Sequence, residues 1–316
     1  MRYKILELLK QTGDYVSEQL IVEKFSLTRK AIWENIAELK AEGYNILSVT
    51  NKGYLFCDTE DILNEYEIKN CVFVPVVDST NNLAKQLANE DCCEWTVVTC
   101  NEQTGGKGRL GRQWLQAQKE GVYMSVVLRP ELVPQQAPML TLVTGISVCE
   151  AVNELTGLKA GIKWPNDIVL NEKKVCGILT EMSAEADKVN YVVVGIGVNV
   201  NQSSFPDEIK DKATSIYMES KKNYRRKALI CCIINKLEKN YKIFCSNGFS
   251  DLRQCYLDKC ININKYVCAK KNNQTIEGVA VDITCDGEIV IKTAENELIN
   301  IASGEVSLRG ENNKYI

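Results

Sequence analysis

The hydrophobic period changes near residue 70, and this break constrains the fold more than any other feature. Before it, apolar residues recur at helical spacing. After it, β-branched and aromatic runs alternate with helical segments. A chain of 316 residues with such a break reads as about two or three domains. In the first stretch Ile5, Leu6, Leu8 and Leu9 form one helix face, and Gly13-Asp14 ends it. Ser17 is the expected cap of a second helix carrying Leu20, Ile21 and Phe25; Thr28 is the expected cap of a third. There Ile32, Ile36 and Leu39 recur at i, i+4 and i+7, and Gly43 closes the helix. Residues 46–49 and 54–56 flank a turn at 50–53, a hairpin signal. Three helices with a tight turn before the third, followed by a hairpin, predict a winged helix-turn-helix over 1–64. Its third helix would enter the major groove. Thr28, Arg29, Lys30 and Asn35 are the groove-facing candidates, and Lys52 on the wing could reach a phosphate. Trp33 lies off the buried stripe and is assigned to helix packing or an interface. Residues 1–57 hold eight Lys/Arg and seven Asp/Glu, a net of +1 (8 − 7), so a single copy would bind DNA weakly without dimerisation.

Residues 58–61 read as a polar connector and 62–68 as a short helical linker. From Cys71 the expected order is a strand, a helix with Leu83, Ala84, Leu87 and Ala88, strands at 95–100 and 122–128, and a helix at 138–155. Strands follow at 162–164, 167–170, 174–181 and 191–200, then a helix at 225–244. This is α+β, a mixed sheet with helices on one side, over 65–261. Short β-runs in 262–316, with Asp286-Gly287 as a hairpin turn, predict a small SH3-like barrel.

The chain has no histidine, which removes Ser-His-Asp and Cys-His catalysis and any histidine-bearing metal site. Its fourteen cysteines include no C-x-x-C and fall mostly in apolar runs, so they read as reduced thiols of a cytoplasmic protein, with no metal site. The start is not expected to be a signal peptide, and no stretch approaches the ~18 apolar residues of a membrane span. The net charge of −3 argues against wholesale coating of nucleic acid or anionic membrane.

Five motifs carry chemistry. Gly105 to Trp114 interleaves four glycines with Lys107, Arg109 and Arg112. Gly106, Gly108 and Gly111 satisfy G-x-G-x-x-G formally, but the motif lies well past its strand with no clear helix after it, so a dinucleotide fold is rejected. The loop instead suits an anion, its backbone N–H groups and guanidinium forks converging on one ligand. Lys163-Trp164-Pro165-Asn166-Asp167 marks a turn at a strand end, and Lys174 opens the next strand. Gly195-Ile196-Gly197-Val198-Asn199 thins a buried strand so that something can lie on it. Asp78-Ser79-Thr80-Asn81 gathers short polar groups and free N–H groups at a helix start. Converging cations suit a carboxylate attacking a phosphate of ATP, where charge repulsion and positioning set the barrier.

These motifs resemble the bifunctional biotin protein ligases that also repress a biotin operon (the BirA type). The resemblance covers nearly the whole chain: Gly106 to Arg112, Lys163 to Asp167, Lys174 to Glu181 and Gly195 to Asn199. Lys107 stands where the family commonly has arginine. The resemblance implies biotin, ATP and Mg²⁺ as ligands. It implies biotin contacts from Ser79, Thr80, Asn81, Gln103, Lys107, Gly108, Arg109 and Lys174, and nucleotide contacts from Arg112, Trp114, Asn166 and Asn199. Lys174, Arg109, Lys163 and Asp167 would carry catalysis, Asp167 orienting the acceptor lysine or helping to bind Mg²⁺. Implied partners are a biotin carboxyl carrier protein, operator DNA and a second copy when adenylate is bound, with no membrane. Rival readings are a ligase that no longer reads DNA and a biotin-sensing repressor without catalysis. The lipoyl ligases share the fold, but their motifs commonly include histidine.

Overall fold

The computed structural model describes every residue except 58–60, 113, 115–118, 272–273, 303–305, 311–314 and 316, and only the backbone of 270, 271, 274, 306–308 and 310. The connector at 58–60 and Gln113 of the glycine motif therefore lie outside the described residues. Met1–Glu67 and Ile68–Ile316 are two compact units.

The first unit holds α1 (Arg2–Thr12), α2 (Glu18–Phe25), α3 (Arg29–Ala41), β1 (Ile46–Val49) and β2 (Gly53–Phe56). Its boundaries follow local chemistry. Gly13 ends α1 in the left-handed region at φ 64°. The Ser17 and Thr28 hydroxyls each accept a backbone N–H, from Leu20 and Ala31, at 3.2 Å; such caps stabilise a helix by about 1 kcal/mol. Ile5, Leu6, Leu9, Ile21, Ile32 and Leu39 are fully buried in one core. Leu20 departs from expectation, since only Ile21 of α2 is buried and Leu20 faces outward. Gly53 must be glycine: its φ is +99° and a Cβ there would overlap the Val16 carbonyl oxygen. Residues 62–68 form turns rather than the expected helix. The Asn64 side chain accepts the Glu67 N–H at 3.0 Å, the capping geometry of Ser17 and Thr28, but only a single turn follows it.

The second unit is built on a seven-stranded sheet, ordered β3-β4-β5-β9-β8-β7-β6. Its strands are β3 (Cys71–Val77), β4 (Val97–Gln103), β5 (Gly121–Leu128), β6 (Gly161–Lys163), β7 (Asp167–Leu170), β8 (Lys173–Ala184) and β9 (Val189–Asn199). Only β3 and β4 pair in parallel. Helix α4 (Thr80–Asn89) meets the sheet through Asn81 and Lys85, which bond Glu181. Helix α5 (Met139–Thr156) meets it through Thr141, which bonds Thr180 at 2.8 Å. Neighbouring strand residues point to opposite faces. Helices therefore cover both faces, not one as the sequence suggested; which face a helix takes is set by long-range packing that its own periodicity does not encode. Helix α5 is apolar on almost every side because the sheet lies on one flank and α7 (Arg226–Asn247) on another. Helix α8 (Ser250–Leu257) packs with α5 and α7, and the short α6 (Ile216–Ser220) is the remaining α-helix of this unit among the described residues.

The last strands, β10 (Tyr266–Lys271), β11 (Gln274–Ile283), β12 (Ile289–Lys292), β13 (Leu298–Ile301) and β14 (Val306–Gly310), form an antiparallel sheet ordered β13-β12-β11-β10-β14. Gly287 at φ 77° makes the expected hairpin turn. Its carbonyl accepts the Trp164 indole N–H at 3.1 Å, which ties this sheet to the end of β6. None of the fourteen cysteines forms a disulfide, and six of them are buried. No helix among the described residues is long and apolar enough to cross a membrane.

Candidate active site

Register builds the site. Lys163, Asp167, Gly177, Gly197 and Tyr123 are successive partners across β6, β7, β8, β9 and β5. They share one face of the sheet. The two glycines leave a flat patch, and the Trp114 indole lies on it: a Cβ at either position would come within 2.8 Å of the ring. In the next row Leu179, Gly195 and Ser125 are partners, and a Cβ on Gly195 would overlap the Asn81 side chain. The thinned strand expected from Gly-x-Gly thus receives one side chain on each glycine. Both come from the protein itself.

Beside Trp114 the charged groups meet. A bulge between Ile168 and Val169 shifts the β7–β8 register and brings the Lys174 ammonium to 2.6 Å from Asp167 Oδ1. The same ammonium lies 5.3 Å from the Trp114 ring centroid. Burial pushes the Asp167 carboxyl up, but Lys174 and Lys163 outweigh it and hold it below the usual carboxylate range, so it is ionised. Lys163 is 5% exposed. Burial brings its ammonium down to about 7, against the pull of Asp167 and with the help of Arg309, Lys174 and Arg112. Arg109 donates to Asn166 Oδ1 at 3.0 Å, and burial lowers its guanidinium pKa.

On the other side of Trp114 a polar cluster closes at the start of α4. The Thr80 N–H and hydroxyl both donate to Gln103 Oε1, at 2.8 and 3.1 Å. Asn81 donates to Glu181 at 2.7 Å and accepts from the Ser125 hydroxyl at 2.6 Å. The Thr80 N–H is therefore engaged, not free as its position at a helix start implied.

One cavity is lined by Ser79, Thr80, Asn81, Gln103, Lys107, Gly108, Arg109, Trp114, Asn166 and Lys174. A second, lined by Gly108, Arg109, Arg112, Trp114, Lys163, Asn166, Asp167, Lys174, Arg309 and Tyr315, shares several of those walls. The structure thus brings together nearly every residue that sequence motifs singled out. Asn199 is the exception. It lines neither cavity, and its amide donates to the Thr214 carbonyl at 3.0 Å. Residues 212–214 pair with the backbone of Lys174, which links Asn199 to that lysine through the chain at Thr214. Sequence reasoning missed Ser125, a lone hydroxyl in an apolar strand whose oddity was a usable signal. It also missed Arg309 and Tyr315, which no motif marks.

The glycine loop is folded on itself. Gly108 N–H donates to the Arg112 carbonyl at 2.6 Å and Trp114 N–H to the Gly106 carbonyl at 2.9 Å. Leu110 is left-handed at φ 58°. Strand β4 runs to Gln103, closer to the loop than expected, but only the 3₁₀ turn Arg109–Gly111 follows among the described residues, so the dinucleotide reading still fails. No three carboxylate or thiol groups converge to hold a metal ion among the described residues.

In the first unit the groove-facing candidates begin α3. Arg29 and Lys30 side chains are 85% exposed, and Lys52 is exposed on the hairpin. Thr28 is spent as the helix cap, and the Asn35 amide bonds back to the Ala31 carbonyl at 2.7 Å. Trp33 is 66% exposed, so it packs on little within its unit.

Comparison with known proteins places these units. The Biotin/lipoate A/B protein ligase family matches residues 73–199, an HTH domain family residues 2–55, and the Biotin protein ligase C terminal domain residues 263–309. The bifunctional ligase/repressor BirA of Bacillus subtilis is 36% identical over 98% of this chain and 98% of its own length. That of Escherichia coli is 27% identical over 97% of this chain and 96% of its own. Among solved structures, the biotin protein ligase of Aquifex aeolicus in complex with biotin and ATP is 35% identical, with a TM-score of 0.68 over 77% of this chain and all of that one.

Proposed function

The chain belongs to the biotin protein ligase family, in its bifunctional ligase/repressor branch, and from that membership we propose that it activates biotin with ATP, transfers it to a carrier-protein lysine, and represses transcription of a biotin operon. The observation that carries the chemistry is that two cavities share Gly108, Arg109, Trp114, Asn166 and Lys174 as walls, one bordered by the polar start of α4, the other rich in cations.

Biotin takes the first cavity. Ser79, Thr80, Asn81 and Gln103 offer the buried hydrogen-bonding groups that suit a ureido ring, and Lys107 and Gly108 border it. Lys174 holds the carboxylate at the junction. ATP takes the second, with Arg112, Lys163 and Asn166 around its phosphates and Trp114 against its base. A carboxylate oxygen attacks the α-phosphorus, the bond to the β-phosphate bridge breaks, and pyrophosphate leaves. The fixed cations lower the repulsion between the two anions. Arg109, lining both cavities, retains the mixed anhydride. The neutral acceptor amine then attacks the biotinyl carbonyl, the bond to AMP breaks, and the proton lost from nitrogen passes to solvent as the amide forms. Asp167, ionised beside the junction, orients the incoming amine through its N–H groups. Mg²⁺ travels with the ATP phosphates as part of the substrate. Asn199 positions Lys174 from behind.

Residues 1–64 are assigned to DNA reading, 65–261 to catalysis and 262–316 to the small sheet. Arg29, Lys30 and Lys52 are the DNA contacts, and Thr28 and Asn35 shape the helix that presents them. The adenylate-bound form pairs with a second copy to reach operator affinity, because one unit carries too little charge. Fourteen cysteines without a disulfide favour a cytoplasmic setting.

Incubation with biotin, MgATP and an apo carrier domain should add one biotinyl mass to the carrier. An unmodified carrier would sink the ligase reading. Salt-dependent binding to the protein's own biotin operon promoter, strengthened by biotin plus ATP, tests the repressor reading separately.

A further inference from the structure

Tyr315 takes no part in the proposed catalysis, yet it sits on groups that do. Its hydroxyl donates to Asp167 Oδ2 at 2.7 Å, while Lys174 takes the other carboxylate oxygen. Its ring lies over the Lys163 ammonium, 3.7 Å from nitrogen to centroid, and the Arg309 guanidinium is 5.9 Å from the same centroid. Both interactions are of the kind that gains from a dry setting. Lys163 is nearly sealed as a result. A phosphate cannot reach an ammonium whose open side is covered by an aromatic face. The cavity that the ring lines also holds Arg112, Lys163, Lys174 and Arg309, cations suited to a polyphosphate, and no feature of a tyrosine requires so many of them.

We propose that Tyr315 is an internal competitor of the nucleotide, seated on Lys163 and Asp167 in the ligand-free protein and displaced when the triphosphate of ATP enters. The inference rests on the assignment of this cavity to ATP. Nucleotide affinity is then reduced by the fraction of molecules with the ring out of its seat, and weakening the seat raises that fraction. The biotin cavity does not include Tyr315, so biotin affinity is independent of it.

The test is calorimetric affinity for α,β-methylene-ATP at saturating biotin, an analogue that cannot be adenylated. Tyr315→Phe keeps the ring on Lys163 but loses the bond to Asp167, and should tighten binding about threefold. Tyr315→Ala loses both and should tighten it about tenfold, with biotin affinity unchanged in each. Thermal unfolding of both variants checks that they fold, and the phenylalanine variant preserves the packing. Unchanged or weaker nucleotide affinity in the variants overturns the proposal, as does a parallel tightening of biotin. Biotin-dependent pyrophosphate exchange by the unaltered protein tests the ligase reading alone. If exchange is absent, the order of the three nucleotide affinities still decides whether Tyr315 competes. Failure of all three proteins to bind the analogue overturns both.

Discussion

The two compact units present their functional groups in opposite ways. On α3 the side chains of Arg29 and Lys30 reach into solvent, their carboxylate neighbours Glu18 and Glu34 only at 4.0 and 3.8 Å. On the sheet face Lys163 and Asn81 are buried, and Asn81, Asp167 and Lys174 are each held by a bonded neighbour. A surface that meets a long polyanion can rely on free, mobile cations. A site that brings two small anions together must fix its cations beforehand. Changes in the first unit should therefore alter binding without stability, whereas changes in the second should disturb both.

Lys174→Ala is the severest test. Biotin-dependent pyrophosphate exchange should fall about a hundred- to a thousandfold, and the melting temperature should drop because Asp167 loses its closest cation. Full retention of the melting temperature would break the contrast between the units. Gly195→Ala and Gly197→Ala sharpen it. Each adds a methyl where a side chain already lies, at about 1–3 kcal/mol of overpacking. The first displaces Asn81 and should weaken biotin binding alone; the second displaces Trp114, a wall of both cavities, and should weaken both ligands. Equal loss of both ligands in Gly195→Ala would mean that the two cavities do not divide as assigned. Arg29→Ala should weaken operator binding by about 1 kcal/mol, lower the slope of affinity against salt by about one, and leave the melting temperature of the protein unmoved.

The smallest effect is the pH response of Glu181. Burial pushes its carboxyl up, but hydrogen bonds from Lys85 and Asn81 outweigh that and the net shift is downward from 4.5. A depressed carboxyl stabilises the fold above its unfolded pKa, and that contribution fades as pH falls through the folded value. Both partners are about one-third exposed, so the effect should stay under about 1 kcal/mol. Glu181→Gln should flatten the loss of melting temperature between pH 5 and pH 3. An unaltered acid limb would mean that the pair contributes nothing.

Legibility in the sequence follows the same division. The first unit was readable because its signals are local: Ser17 and Thr28 cap, Gly13 stops, and Ile32, Ile36 and Leu39 repeat within one helix. The strands of the second unit were readable from their composition, and Lys163, Asp167 and Lys174 from motifs. What holds those residues was not. Asn199 finds its partner at Thr214, Asn81 at Ser125 and Glu181, and Asp167 at Tyr315, all joined by pairings far apart in the chain. The assignment of all helices to one face failed for the same reason. Residues 62–68 misled because the cap at Asn64 starts only a single turn.

The seating of Trp114 on two glycines has an optical consequence. Its indole N–H is buried without a hydrogen-bond partner among the described residues, and an ammonium stands beside the ring. Indole emission shifts with the field and the hydrogen bonding around it. Of the other three tryptophans, Trp33 faces solvent, Trp95 meets Tyr241 edge-on and Trp164 is buried with its N–H bonded to Gly287. The emission of Trp114 should thus change colour as each cavity fills, so that the protein reports its own occupancy without a dye.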